Sequence, residues 1–420
     1  MYLEHISSPS DVKKLSLDEL KALCGEIRGA LVEKLSRHGG HCGPNFGFVE
    51  ATVALHYVFE SPKDKIVFDV SHQTYPHKML TGRAEAFLDP THYDDVSGYS
   101  NPHESEHDHF TVGHTSTSVS LACGLAKGRD LKGEGGNVIA VIGDGSLSGG
   151  EALEALDYAA ELGGSFIILV NDNDMSIAEN HGGIYGNLRL LRETGGRADC
   201  NLFRAMGLDY RFVADGNDLP SVIEALQAVR DIDHPVVVHL VTEKGKGFAP
   251  AEAHKEEWHY CAPFDRETFQ PLMSTEGESW ESLTADFMMK KMQADSSVCM
   301  ITSGTPTVLG FTEDKRRLAG RQFIDVGIAE ENAVARVRHR GSRRQAGLRR
   351  ILHLYPAHLR PAFAGSMHQQ QPGDHHRCVG VDLRHERRDP PRYLRHPDDV
   401  QHSESRLPRT DEQGRISCHA

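Results

Sequence analysis

The sequence predicts an α/β fold in which a parallel sheet is flanked by helices, and three features carry that reading. Val138-Ile139-Ala140-Val141-Ile142 and Phe166-Ile167-Ile168-Leu169-Val170 are short apolar runs of the kind that strands buried on both faces of a parallel sheet show. Between them, Glu151 to Leu162 carries Leu153, Leu156, Ala159 and Ala160 at helical spacing and stops at Gly163-Gly164. Each run ends on small polar residues, Gly143-Asp144-Gly145-Ser146 in the first case and Asn171-Asp172-Asn173 in the second. Such a strand-helix-strand unit is right-handed, so Asp144 and Asn173 leave the same sheet edge side by side, where open α/β sheets bind ligands.

In chain order, Ser16-Leu17-Asp18-Glu19 is a capping box that opens a helix with Leu20, Leu23, Cys24, Ile27, Leu31 and Leu35 on one face, closed by Gly39-Gly40-His41. Val49 to Phe59 reads as a second helix feeding the strand Ile66 to Val70, and a histidine-containing segment, Ser71 to Lys78, follows directly. Gly113-His114-Thr115-Ser116-Thr117-Ser118 opens a further helix, and free amides beside small hydroxyls there predict an anion site. The polar, Gly- and Arg-containing stretch from Gly183 to Cys200 shows no clear period and is predicted to be a mobile loop. A helix from Leu219 to Val229 and the strand Val236 to Val241 complete another unit. The polar segment rich in Ala, Glu and His that follows Phe248 and runs through His259 to Phe269 then predicts a connection to a second domain, with a helix from Trp280 to Met292 and strands Val298 to Thr302 and Phe323 to Val326. The organisation that results is a first α/β domain over 1–265, a linker over 266–277, the start of a second α/β domain over 278–335, and a tail over 336–420.

Eight widely spaced cysteines without a Cys-x-x-Cys pair, and no long apolar span or leader, predict a reduced, cytoplasmic protein with no membrane segment. The net charge of −14 speaks against nucleic acid as a partner. The charge is uneven: residues 1–335 hold 29 Lys and Arg against 51 Asp and Glu, while 336–420 hold 17, all Arg, against 9.

Two hard oxygen donors converging at adjacent strand ends suit Mg²⁺ holding a diphosphate, because Mg²⁺ takes one or two protein ligands and leaves its other positions to phosphate and water. A lone Gly-Asp-Gly would say little. Its repeat partner about thirty residues on, also at a strand end, makes the pair specific against the alternative of a turn and an unrelated Asn-rich loop.

On these residues the chain resembles thiamine diphosphate enzymes of the transketolase type. Residues 1–335 are similar to the 1-deoxy-D-xylulose-5-phosphate synthase family at Gly39-Gly40-His41, Val53 to Phe59 with Pro62-Lys63-Asp64, Asp69 to Lys78, Gly113 to Ser118, Gly143 to Gly150, Asn171 to Ile177 and Asp325 to Glu330. The resemblance implies a diphosphate-binding first domain, the start of a pyrimidine-binding second domain, and thiamine diphosphate and Mg²⁺ as cofactors. It implies Asp144, Asn173 and the Met175 carbonyl on the metal, and His72, Gly113, His114, Thr115, Gly145, Ser146, Asn173, Phe248 and Glu330 against the cofactor. Glu330 would also be catalytic, through the aminopyrimidine, with His41 and His259 close to the substrates. The implied reaction joins pyruvate to D-glyceraldehyde 3-phosphate with loss of carbon dioxide, for isoprenoid precursor, thiamine and pyridoxal synthesis, in a homodimer when full length. Departures are Asp215-Gly216-Asn217 where Asp-Gly-His is expected, Phe248 where tyrosine is common, and a short segment after Gly183.

The tail carries neither the arginine expected to grip the aldehyde's phosphate nor a third domain. It has no lysine, ten histidines and no period of 2 or 3.6, and Gln369 to His376 can be encoded so that the next frame reads Asn-Asn-Asn-Pro-Ala-Thr-Ile-Ile. Asp382 through Asp399 can likewise be shifted into a peptide resembling the family's second domain. An out-of-frame tail and an inactive chain are therefore expected. The alternatives are a transketolase or ketoacid dehydrogenase component, or a remnant that binds thiamine diphosphate without catalysis.

Overall fold

The structure, a computed structural model, describes residues 1–272, 277, 279–338 and 350–353, with side chains described as far as residue 335. Chain contacts gather 1–379 into one unit and 380–420 into another, the latter lying outside the described residues.

The main sheet has five strands, β1 (Lys65–Phe68), β2 (Val138–Gly143), β3 (Phe166–Asp172), β4 (Asp209–Val213) and β5 (Pro235–Val241), in the order β1-β2-β3-β5-β4. All neighbours are parallel. Side-chain alternation along these strands serves two cores. Ile139, Val141, Ile167, Leu169, Val236 and Val238 pack with helices α1 (Leu17–His38) and α2 (Val49–Val58) on one face. Ala140, Ile142, Ile168, Val170 and Val237 pack with α3 (Ser118–Lys132), α4 (Gly150–Ala159) and α5 (Gly183–Glu193) on the other. Helix α6 (Leu219–Val229) joins the first core. The predicted α/β class is thus the observed one. The capping box forms as read, with Ser16 N donating to Glu19 Oε2 at 2.7 Å, and Gly39 ends α1 at a φ of 77°.

Two expectations fail. The stretch after Gly183 is a loop only from 194 to 200: up to Glu193 it is α5, which buries Tyr185, Leu188 and Leu191, an i, i+3, i+6 set whose period is masked in sequence by the surrounding Gly, Asn and Arg. Nor is His259 to Phe269 a polar connection. Tyr260–Cys261 pairs antiparallel with Gly40–His41, and Phe264 is buried.

A second sheet has β6 (Val298–Thr302) between β7 (Phe323–Asp325) and β8 (Arg350–His353), all parallel. Helix α7 (Trp280–Ala294) packs Ala285, Met288 and Met292 against Val298 and Met300. Helices α8 (Glu313–Ala319) and α9 (Glu330–Arg338) complete it. Within the tail, α9 continues to Arg338 and Arg350–His353 forms β8; the open edge of β6 offers unpaired backbone groups that any short extended segment can meet. The rest of the tail, including 369–376 and 382–399, lies outside the described residues.

Candidate functional site

Strand register brings the two motifs together. Gly143 pairs with Asn171, so the next residues, Asp144 and Asp172, stand abreast where β2 and β3 end. Asp144 is buried; its Oδ2 accepts from Asn180 Nδ2 at 2.6 Å, while its Oδ1 has no hydrogen-bond partner. Burial pushes its carboxyl up to about 8, and the neighbouring Asp172 adds to this. Asn173 Oδ1 accepts from Met175 N at 3.2 Å, and Met175 bridges to Glu179, so the segment folds back over the strand ends. A side chain on Gly145 would come within 2.7 Å of Ser176 Cβ, which is why this position takes only glycine. A buried carboxylate oxygen with nothing to bond is a group waiting for a cation, and the hard oxygen set fits Mg²⁺.

Asp172 is saturated, although it stands within the Asn-Asp-Asn motif. It accepts from Arg192 Nη1 at 2.7 and 2.8 Å and lies 2.8 Å from His239 Nε2, whose Nδ1 meets Tyr210 Oη at 2.7 Å.

The anion site predicted at 113–118 needs correction. The Asp69 carboxylate takes the amides of Ser116, Thr117 and Ser118 at 3.0, 2.9 and 3.0 Å and so caps α3 itself. Those amides are closed to a phosphate. Ser116 sits at a φ of 73°, and its hydroxyl donates to Ser146 O at 2.8 Å. What stays open is the other end of the turn: Gly113 and His114 are exposed, Thr115 is half-buried, and His114 Nδ1 lies 2.8 Å from the Thr115 carbonyl.

His41, His72 and His259 converge, their rings 5.1, 5.9 and 5.3 Å apart. Asn45 joins two of the segments by donating to the carbonyls of His41 and His72, both at 2.8 Å. Val70 and Ser71 reach His72 through positive φ of 57° and 65°, an outlying conformation for a β-branched residue that marks a constrained site. Every Nδ1 of the three rings is buried and unpartnered. Burial pushes His41 down to about 4 and also lowers His72 and His259, so the cluster is neutral at pH 7. Between pH 6.5 and about 4 the unfolded chain then binds more protons than the folded one, so stability falls as pH is lowered through that window. Melting temperatures from pH 8 to 5 should show this decline, with a shallower slope in His41→Asn.

The second sheet closes on the same place. Ser148 Oγ donates to Ile328 O at 2.9 Å, and a side chain on Gly327 would meet His181 O at 2.7 Å. Glu330 begins α9, half-buried; burial raises its carboxyl, and His114 is near enough to oppose the rise. Arg316 of α8 donates to Glu256 at 3.0 and 3.1 Å and pairs with Glu179 at 3.4 Å, tying the segment after Asn173 and the His259 segment to the second sheet.

Among the described residues, the ring contacts of Phe248 are with other aromatic side chains. It stacks on Phe46 at 5.1 Å and packs against Trp258 and Phe269 at 5.1 and 5.7 Å. Sequence reasoning missed Lys244, which is buried, donates to Ser176 O at 2.6 Å, and is pushed down to about 8 by burial while Asp144 opposes the fall. It follows β5 as Asp144 follows β2, and that shared position was the signal. Tyr99 and Tyr260, 5.5 and 5.2 Å from the His41 ring, were also missed.

The family model described as 1-deoxy-D-xylulose-5-phosphate synthase matches residues 3–196 and 193–242. Synthases so named from Macrococcus caseolyticus and Listeria monocytogenes are each 38% identical to this chain, over 91% and 90% of it. The chain spans 66% and 63% of those relatives' lengths, less than two thirds. A transketolase structure from Leishmania mexicana aligns at a TM-score of 0.45 and 14% identity, over 75% of this chain and 61% of that one. With a family model running through more than half its length, the chain belongs to the 1-deoxy-D-xylulose-5-phosphate synthase family.

Proposed function

We propose that this chain builds the thiamine diphosphate and Mg²⁺ site of an enzyme that joins pyruvate to D-glyceraldehyde 3-phosphate with loss of carbon dioxide. The observation that carries the reading is the buried, unpartnered Asp144 Oδ1 beside the Asn173 segment. Asp144, Asn173 and the Met175 carbonyl would hold the metal, and Gly113, His114, Thr115, Gly145 and Ser146 would line the cofactor. Thiamine diphosphate, when bound, supplies the electron sink for forming and breaking bonds at a carbonyl carbon. The chain's own groups do the rest. Glu330, whose carboxyl burial raises, would stand at the aminopyrimidine edge and could hold or pass a proton there. The neutral rings of His41, His72 and His259 can accept or donate at the oxygen of a bound ketoacid or aldehyde, and their burial excludes water. Residues 1–265 would form the diphosphate-binding part and 278–335 would begin the pyrimidine-binding part of a cytoplasmic enzyme that is a homodimer when full length.

The reading is tested by incubating pyruvate and glyceraldehyde 3-phosphate with this chain, and with a version extended to the relatives' length, in the presence of both cofactors. The expected product, seen by mass spectrometry from the extended version, is a five-carbon 1-deoxyketose phosphate. Transfer of two-carbon units between sugar phosphates would instead make it a transketolase. Little turnover is expected from the chain as written, because residues 336–420 read as out of frame. The nucleotide sequence across codons 369–399 checks this, and a shifted frame that lacks the family-like peptides overturns it.

A further inference from the structure

Helix α5 touches both loops that the proposed metal needs. Near its start, Tyr185 Oη donates to Gly145 O at 3.1 Å and to Ser148 Oγ at 3.0 Å, gripping the turn that carries Asp144. Two turns later on the same face, the Arg192 guanidinium reaches the other loop. Its Nη1 takes both oxygens of Asp172 at 2.7 and 2.8 Å, and its Nη2 takes Asp174 Oδ1 at 2.8 Å. These carboxylates flank Asn173 on either side. Asp174 stands at a φ of 61°, in the left-handed region that Asp tolerates better than most residues but does not hold by default. Arg192 fixes it there with a planar fork that a lysine cannot imitate.

We propose that Arg192 is a positioning residue for the Mg²⁺ loop, and that α5, through Tyr185 and Arg192, sets the gap between Asp144 and Asn173. Neither residue contacts the metal. Arg192 holds the backbone on both sides of Asn173, so that the carboxamide between them is presented without an ordering cost at the moment of binding. The buried pair His239 and Tyr210 backs Asp172 from the sheet side, so the clamp is braced from two directions.

The inference rests on the proposed metal site, and the test separates the two. Mg²⁺ is titrated by calorimetry into the 420-residue chain with excess thiamine diphosphate, for the unaltered chain, Arg192→Gln, Arg192→Lys, Asp174→Asn and Asp144→Ala. Arg192→Gln should weaken Mg²⁺ by about tenfold or more, with Arg192→Lys in between. Hydrogen exchange of 173–180 should quicken in Arg192→Gln while exchange in β2 does not. An affinity within about twofold of the unaltered chain overturns the proposal. If Arg192→Gln does not fold, Asp174→Asn decides: it removes one exposed arm of the clamp, and an unchanged affinity there also overturns it. Should Asp144→Ala leave the affinity unchanged, the metal site itself is wrong; should Asp144→Ala abolish binding while the clamp variants do not matter, only the positioning role fails.

Discussion

Asp144→Ala is expected to weaken Mg²⁺-dependent thiamine diphosphate binding by about 100-fold or more, since even outer partners of a metal site cost ten- to hundredfold. Its Oδ1 is buried without a partner, so no neighbour can stand in for it. The same substitution has an opposite consequence for the cofactor-free fold. Burial and the adjacent Asp172 push the Asp144 carboxyl up to about 8, so in neutral solution folding must place a proton on a group that the unfolded chain leaves ionised, which costs stability. Removing it relieves that cost, so the cofactor-free variant should melt no lower than the unaltered chain, while the gain in melting temperature on adding Mg²⁺ and cofactor disappears. A variant that melts much lower without cofactor would show Asp144 to be a structural residue.

Glu330→Ala should do the reverse, leaving cofactor binding largely in place and lowering turnover by about a thousandfold in the version extended to the relatives' length, within the usual range for a proton-transferring group. Glu330 is half-buried at the start of α9, within electrostatic reach of His114. The effect should fall on kcat, with KM for pyruvate little changed. Loss of cofactor affinity equal to that of Asp144→Ala would deny Glu330 a separate role.

The strands and the Asp144 and Asn173 positions were legible because β2 and β3 are buried on both faces and adjacent in sequence order, so an apolar run and its polar end suffice to place them. That the amides of 116–118 are already taken was not legible, because the group that fills them, Asp69, lies 47 residues away from Ser116 and belongs to another strand end. Helix α5 was hidden by its composition: Gly183, Gly186 and Asn187 lower helix propensity, and burial of Leu188 and Leu191 overrides it. Phe248 was assigned by likeness to a tyrosine position, yet without a hydroxyl it has only an apolar surface to satisfy, and Phe46, Trp258 and Phe269 provide it.

Arg316 holds Glu256 and Glu179 with one guanidinium, and these belong to the His259 segment and to the segment after Asn173. On the proposed metal site, seating of the second sheet and ordering of that segment on binding would be coupled. By reciprocity, whatever factor the seated sheet adds to cofactor affinity, bound cofactor must return to the seating of the sheet. Cofactor would then act on this chain as a folding ligand, and the part of the molecule most protected by it against protease would be α8, on the far side of the Arg316 bridge from the metal.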